Sequence, residues 1–566
     1  MGESRAEGEQ GQAGRRDGRT PWAVYLGLTA VAWGALVLVQ GLWHDEVQIL
    51  FRAFVGPERG EGLLSAITTP TRRLLRLPFA LALASGRPVQ VLHLLMGLSW
   101  LAAGLLAERL ARRLWPDAPV AAPLAGALAL SATPDFFTGA PVALGYQLSI
   151  VAFLGAALAS LAWLQGGSRR ALWAVPLCLT ASLWTSDAAA GAWAFAPLLW
   201  AAAPGRTPGR ARGLGALWVL SALPYLVLLL RQLTGQAGYF QRALVPLSAG
   251  QTARRWLDLA LYNFTPWRWA FDRPAWFPAH DGVLPPAWRA ALALGAAALA
   301  CWALLRRPPA AGTGSSLRGG AVGVAAVLAL MAVSNGVFVR VQLSDLYCRT
   351  HLLSRVFASL ALARLAAAAW AGARGPLGRG LVRGGLGLWL ALGLAGGLER
   401  QDYFAGYWRA HRPELDSILA QAPALAPGAH LLLRVPAHEH YLATEAGYLA
   451  RAWASLLYQD PGVECRVFLW SEHRPTSCVP RAEGYECRGE RSPDCQRLDG
   501  RETELLRYDR LVLLEYQPAT GRYVLAESLP AEAGAGGASY QPRGQVLPQE
   551  RRPLARALLE AGRGLA

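Results

Sequence analysis

Residues 22–42 read WAVYLGLTAVAWGALVLVQGL, and Trp43-His44-Asp45-Glu46-Val47-Gln48 follow directly. The first run has no charged residue and is long enough, at roughly 1.5 Å per helical residue, to cross the hydrocarbon of a bilayer. The second places two adjacent carboxylates where that helix meets water. Charge beside hydrocarbon is expensive and calls for a reason. One reading of Asp45 and Glu46 is a solvated stop to the helix; the other is a site at the membrane surface.

The rest of the chain repeats the first pattern. Of its 566 residues 53% are hydrophobic and only 16% charged, with a mean hydropathy of +0.24. Long apolar runs in such a composition predict a mainly α, polytopic membrane protein. Hydropathy predicts about eleven transmembrane helices. They lie near 22–42, 89–107, 119–133, 142–164, 171–185, 187–203, 213–234, 284–305, 321–341, 347–371 and 380–398. Residues 1–20 are polar and mixed in charge, and read as a disordered cytoplasmic tail without a cleavable signal peptide.

Formal net charge is +17, and every cationic side chain other than histidine is arginine. The arginines do not form a nucleic-acid surface, because most sit in short loops between apolar runs. Arg109, Arg112 and Arg113, then Arg169 and Arg170, Arg206, Arg210 and Arg212, Arg306, Arg307 and Arg318, and Arg374, Arg379 and Arg383 fall in alternate loops. The intervening short loops 134–141 and 342–346 have none. The positive-inside rule then puts the N-terminus in the cytoplasm of a bacterial-type cytoplasmic membrane and the C-terminus outside.

Two outside loops are long. The first, 43–88, holds the acidic pair and then apolar residues beside Arg72, Arg73 and Arg76, which predicts amphipathic helices lying in the interface. The other, 235–283, is aromatic, as an interfacial belt or a lid over a membrane-level site would be. Beyond residue 398 the spanning runs stop. Residues 399–566 predict an extracytoplasmic soluble α/β domain, with strands near 430–435, 463–470, 510–516 and 522–526 and helices near 440–457 and 551–561. Cys465, Cys478, Cys487 and Cys495 lie in this domain without paired Cys-x-x-Cys spacing. Outside the cytoplasm they read as two disulfides rather than zinc ligands. Cys178, Cys301 and Cys348 read as packing residues in or beside spans.

Taken together, Asp45-Glu46 at the end of the first span, the loop Gly62–Leu83 after it, and Asp345-Leu346-Tyr347-Cys348-Arg349 before a late apolar helix carry a family resemblance. The arrangement resembles the GT-C superfamily of polytopic glycosyltransferases, which includes protein mannosyltransferases and the lipid A aminoarabinose transferase. The resemblance covers the layout of the 21–398 membrane domain and its outside tail, and rests on short motifs. Thr185-Ser186-Asp187 departs from it, since relatives often carry a Lys-Glu-like pair there, and the C-terminal domain identifies no acceptor.

The resemblance implies transfer of a sugar from a polyprenyl-phosphate-linked donor to a glycan, lipid or protein acceptor at the outer face. It puts the catalytic carboxylate at Asp45, as general base, with Glu46 orienting the acceptor. A partly desolvated carboxylate has its pKa raised toward working pH, which suits that task. Asp135, in Pro134-Asp135-Phe136-Phe137, is a second outside carboxylate; the resemblance implies that it binds acceptor or a metal, and the other reading is a helix cap or turn, an ambiguity that Asp187 shares. The leaving phosphate calls for forked, permanently charged donors. Arg72 and Arg73 are candidates, with Arg76, Arg254, Arg255 and Arg340, and Arg349 and Arg355 are preferred. His351 and Arg355 are spaced to share a helix face. An arginine two turns into an apolar helix needs an anionic partner or a wet cavity.

No metal-ligand set is predicted; relatives act with or without a divalent metal. Nucleotide-binding glycine patterns and a Gly-x-Ser-x-Gly nucleophile turn are absent, so a nucleotide sugar is not expected. Two other classes fit part of the chain. A flippase or transporter of lipid-linked glycans would carry repeats or broken helices in two halves, and no such repeat is visible. A membrane scaffold would account for the outside domain but not for the carboxylates and the intramembrane arginine.

Overall fold

A proline at the first position and two arginines in the last turn bound the helix Pro88–Leu114. Proline surrenders an amide that a helix start leaves unpaired, and the cations face the negative end of the helix dipole. Equivalent signals recur along the chain. Gly167, at φ +68°, closes one helix in the left-handed conformation that glycine adopts at little steric cost. Ser248 and Gln251 open another with a reciprocal capping box.

The computed structural model describes residues 21–42, 44–55, 74, 76–234, 247–272, 282–306, 317–336, 339, 351–435, 448–471, 478–488, 503–530, 537–549 and 552–561. Its main helices are α1 (Trp22–Thr29), α2 (His44–Val55), α3 (Arg76–Ala84), α4 (Pro88–Leu114), α5 (Ala121–Ser131), α6 (Leu144–Gly166), α7 (Arg169–Thr185) and α8 (Pro208–Thr234). Then come α9 (Ala249–Tyr262), α10 (Pro286–Leu305), α11 (Leu317–Gly336), α12 (Ser354–Gly372), α13 (Gly375–Gln421), α14 (Tyr448–Tyr458) and α15 (Pro553–Glu560).

With 73% of the described residues in helices and a small C-terminal sheet region, the protein is mainly α. Among the described residues five helices are long and apolar enough to cross a membrane: α4, Pro141–Gly166 (which includes α6), α10, α12 and α13. Trp22–Gly34, α5, Ala190–Ala202 and Gly320–Gly336 are apolar but shorter. Outward-facing Leu94 and Leu98 on α4, Trp173 and Leu177 on α7, and Leu294, Leu299 and Trp302 on α10 leave large apolar side chains uncovered by protein. Such contiguous apolar faces are what a hydrocarbon solvent covers. The apolar window of α6 is 67% buried and that of α10 only 28%, so α6 is central and α10 peripheral.

Several predicted elements are redrawn. The 187–203 run is not one helix but the turn Asp187–Ala189 and two short helices, Ala190–Phe195 and Pro197–Ala202. Pro197 lacks the N–H that would continue the first into the second. In the first long loop, helices occur at α2 and α3, and the remainder of 62–73 lies outside the described residues. The compositional change at residue 399 falls inside α13, a continuous helix of 47 residues, roughly 70 Å at 1.5 Å per residue. Gly393, Gly396 and Gly397 let α13 approach its neighbours. A Cβ at Gly397 would stand 2.9 Å from the Ala32 carbonyl, and one at Gly396 2.7 Å from that of Trp269.

Beyond α13 lies a mixed sheet of order β3-β2-β7-β8, built from β2 (His430–Val435), β3 (Val467–Ser471), β7 (Leu511–Gln517) and β8 (Arg522–Leu525). β2 pairs in parallel with both β3 and β7, which explains why its apolar run does not alternate with polar residues. Its two faces go to different partners. Leu431, Leu433 and Val435 join the core that runs through the helices, whereas Leu432 packs with Phe468, Leu513 and Tyr485. The latter cluster lies against a small antiparallel sheet that the sequence reading did not foresee: β4 (Cys478–Pro480), β5 (Gly484–Arg488) and β6 (Thr503–Arg507). β1 (Ala424–Leu425) and β9 (Val546–Leu547) form a separate two-stranded pair.

Cys478 and Cys487 face one another across β4 and β5 and are joined by a disulfide. Cys465 is disulfide-bonded as well, while Cys495 and Cys348 lie outside the described residues. Cys178 and Cys301 are free thiols in helices, in keeping with packing roles.

Candidate active site

The site begins with a glycine. A Cβ on Gly41 would collide with the indole of Trp408 on α13, so only a residue without one lets the chain pass there on its way from Trp22–Gly34 to α2. Three residues later α2 starts, and it packs on α3 and on α14 of the C-terminal region. Asp45 is in the first turn of α2, and its side chain lies outside the described residues.

Glu46 is fully buried, with 0% exposure. Its Oε1 accepts a hydrogen bond from the Val142 amide at 2.9 Å, in the turn that leads into α6. Glu46 is therefore not a solvated stop to the helix. Burying a carboxylate requires partners, and this bond ties α2 to the α6 turn. The acid also borders a small recess, with room for about one water molecule, shared with Gln40, His93, Pro141, Phe404 and Tyr407.

His93, on the second turn of α4, was not singled out in the sequence. It is 1% exposed. Its Nε2 lies 3.3 Å from the Gly41 carbonyl, and its own carbonyl accepts from the Trp33 indole at 3.2 Å. Its Nδ1 is buried with no hydrogen-bond partner. The available signal was an ionisable residue inside the apolar run Val89–Leu95.

Asp135 is brought near but has a different task. It is fully buried, and its Oδ1 accepts from the Phe137 amide at 3.0 Å, capping the turn Phe136–Gly139. Its Oδ2 lies 3.5 Å from the His351 amide, so it also pins the segment leading into α12. Of the two readings of Asp135, the turn-capping one matches this geometry. The His351 ring is buried against Tyr262, with ring centres 5.0 Å apart. Its carbonyl accepts from the Arg355 amide at 3.0 Å.

Arg355 is not among the residues lining the recess. It is 1% exposed, its guanidinium carbon sits 3.4 Å from the centre of the Trp100 ring, and its Nη1 donates to the Ala129 carbonyl at 2.6 Å. Its Nη2 donates to Gln147 at 3.3 Å. Asp135 is close enough for its charge to act on this guanidinium. Of the two environments expected for this arginine, an anionic partner or a wet cavity, the contacts match the first: the side chain ties α12 to α4, to α6 and to the carbonyl end of α5. The anionic neighbour and the capped carbonyls supply what a buried arginine needs.

Arg72, Arg73 and Arg349 lie outside the described residues. Arg400 on α13, which the sequence reading passed over, is another buried guanidinium at this end of the helices. It donates to the Trp269 carbonyl at 2.9 Å and lies over the Phe136 ring at 5.9 Å. Among the described residues no three His, Cys, Asp or Glu side chains converge as a metal site would require.

The fold and site define a helical protein with membrane-length apolar helices, a buried acid in the first turn of α2, which follows the apolar helix Trp22–Gly34, and a C-terminal region whose helix α14 packs on α2. No family model matches the chain, and neither a curated protein nor a solved structure was found to be similar to it.

Proposed function

We propose that this chain is an integral-membrane glycosyltransferase that moves a sugar from a polyprenyl-phosphate-linked donor to an acceptor at the outer face of the membrane. In this reading about eleven helices cross the bilayer, as the hydropathy pattern suggests, with the N-terminus inside and residues 399–566 outside. The observation that carries the proposal is Glu46: a fully buried carboxylate in the first turn of α2, just past the first apolar run, held by a backbone amide beside a small recess. Ionisable groups held at such a position mark sites more often than scaffolding.

In the proposed reaction the acceptor hydroxyl attacks the anomeric carbon as Asp45 takes its proton. The bond from that carbon to the phosphate oxygen breaks, and the polyprenyl phosphate leaves with the electron pair. Arg349, Arg72 and Arg73 neutralise the phosphate in this scheme, and Glu46 orients the acceptor. The recess is too small for a sugar ring, so the donor lies outside it and the recess serves the proton side of the reaction. No step is routed through a metal.

The test is turnover by the purified protein in lipid nanodiscs, given a panel of polyprenyl-phosphate-linked hexoses, pentoses and aminopentoses with a mixed glycan and lipid acceptor pool. Release of polyprenyl phosphate that disappears in Asp45→Asn supports the reading. Release that is unchanged in Asp45→Asn removes Asp45 from the mechanism, and no release from any donor sinks the assignment.

A further inference from the structure

The recess beside Glu46 has a second ionisable wall. His93 comes from α4 and Glu46 from α2, and neither is exposed. The Nε2 of His93 faces a carbonyl oxygen, that of Gly41, at 3.3 Å. A carbonyl only accepts, so Nε2 carries the proton and Nδ1 is left with a lone pair. That nitrogen is buried and has no hydrogen-bond partner. A buried polar atom without a partner calls for a water or a chemical role. A water in a polar recess of this size can hold two or more such groups at once.

We propose that His93 is the proton acceptor behind the acidic pair: a proton delivered to Glu46 passes through one water in the recess to Nδ1 of His93. The inference rests on the glycosyltransferase reading only for the origin of the proton. In that reaction the acceptor O–H bond breaks as the new O–C bond forms, and the proton goes to Asp45 and on to Glu46. Glu46 then protonates the water, which gives its own proton to Nδ1. Glu46 is again a carboxylate, His93 is an imidazolium with Nε2–H still on Gly41, and the phosphate has left with its electron pair. The imidazolium later releases its proton to solvent. Nothing beyond donor and acceptor is consumed.

Among the described residues the charged and titratable groups around the recess are few. Glu46 on α2 and Tyr407 on α13 face the recess. One turn beyond Tyr407, His411 is engaged with Glu414 at 2.8 Å. Asp135 is committed to the Phe137 amide and lies near the His351 amide. On α4 itself the next ionisable residues are Glu108, paired with Arg112, four turns away. Among the described residues Glu46 is the carboxylate that lines the recess with His93, and in the proposed relay its negative charge would stabilise the imidazolium.

The experiment is histidine nitrogen NMR on protein labelled at its nine histidines and held in lipid nanodiscs, with His93 assigned as the signal lost in His93→Gln. Near neutral pH the Nδ1 resonance should be that of an unprotonated acceptor, and it should titrate. In Glu46→Gln, which keeps the side-chain carbonyl for the Val142 amide, its midpoint should fall by about one pH unit or more, because the stabilising charge is gone. Should that variant fail to fold, the reciprocal measurement applies. In His93→Gln the carboxyl carbon of Glu46 should titrate at higher pH by a similar amount, since coupling between two sites is mutual. A midpoint that does not move overturns the couple. Coupling without turnover would leave the couple and remove the glycosyltransferase reading; turnover without coupling would do the reverse.

Discussion

At the scale of single residues, the site depends on atoms that are missing as much as on those present. Gly41 is beside the indole of Trp408, and any side chain there meets an aromatic ring that is itself fixed, because Trp408 Nε1 donates to the Ala561 carbonyl at 2.8 Å. Gly41→Ala is expected to destabilise the protein by about 1–3 kcal/mol through overpacking. The check is the thermal midpoint of purified protein, and Trp408→Phe in the same chain should restore part of the loss. Arg355 presents the opposite case, a long side chain engaged by several partners. Lysine cannot reproduce the fork that reaches Ala129 and Gln147, nor stack its plane on Trp100. Arg355→Lys should therefore cost on the order of 2 kcal/mol, the scale of a hydrogen bond to a charged group. An unchanged midpoint would return Arg355 to the list of candidate phosphate ligands.

At the scale of elements, α13 organises the molecule. Its glycines 393, 396 and 397 lie against Ser131, Thr133, Trp269 and Ala32, so three separate segments approach one stripe of backbone. Small residues at helix contacts matter most where the surroundings are as apolar as the interface and close packing must supply the attraction. Gly397→Leu should push Ala32 away and lower the thermal midpoint, whereas Gly385→Leu, where a Cβ meets nothing within 4 Å, should change it little. Equal effects of the two substitutions would contradict the packing described. In the small sheet the Cys478–Cys487 disulfide joins neighbouring strands. Thiol labelling of denatured, unreduced protein should leave both cysteines unmodified, while Cys178 and Cys301 react. Labelling at Cys478 or Cys487 would show that the bond is not formed.

At the scale of the whole molecule, the C-terminal region is no appendage. One apolar core runs from Tyr25 and Trp100 among the helices to Leu431 and Val512 in the sheet, and α14 packs on α2, the helix that carries Glu46. Whatever side of the membrane holds the acidic site also holds the sheet. In the proposed topology, which follows the alternation of arginine-rich and arginine-free loops, that side is outside the cytoplasm. A reporter active only in the cytoplasm, fused after Ala566, should stay silent, and strong signal from it would reverse the orientation of site and sheet together.

Much of the fold was legible in the residues because it follows from short-range physics. Apolar runs such as Pro88–Leu114 and Pro286–Leu305 announce helices by their length, and Gly167 and Ser248 mark ends by capping chemistry that needs only neighbours in the chain. The strands β2, β7 and β8 were readable for the same reason, as β-rich runs between turns. The acidic pair could be found because two charges after a hydrocarbon-length run stand out. The uses of Arg355, Asp135 and His93 could not be found that way. Arg355 finds its partners more than 200 residues away in the chain, and the Val142 amide that holds Glu46 is 96 residues distant. Such contacts exist only once the helices have packed. A charged or polar residue in an apolar run signals that it must be satisfied, and only the tertiary structure decides which groups satisfy it and which atom, here Nδ1 of His93, is left without a hydrogen-bond partner.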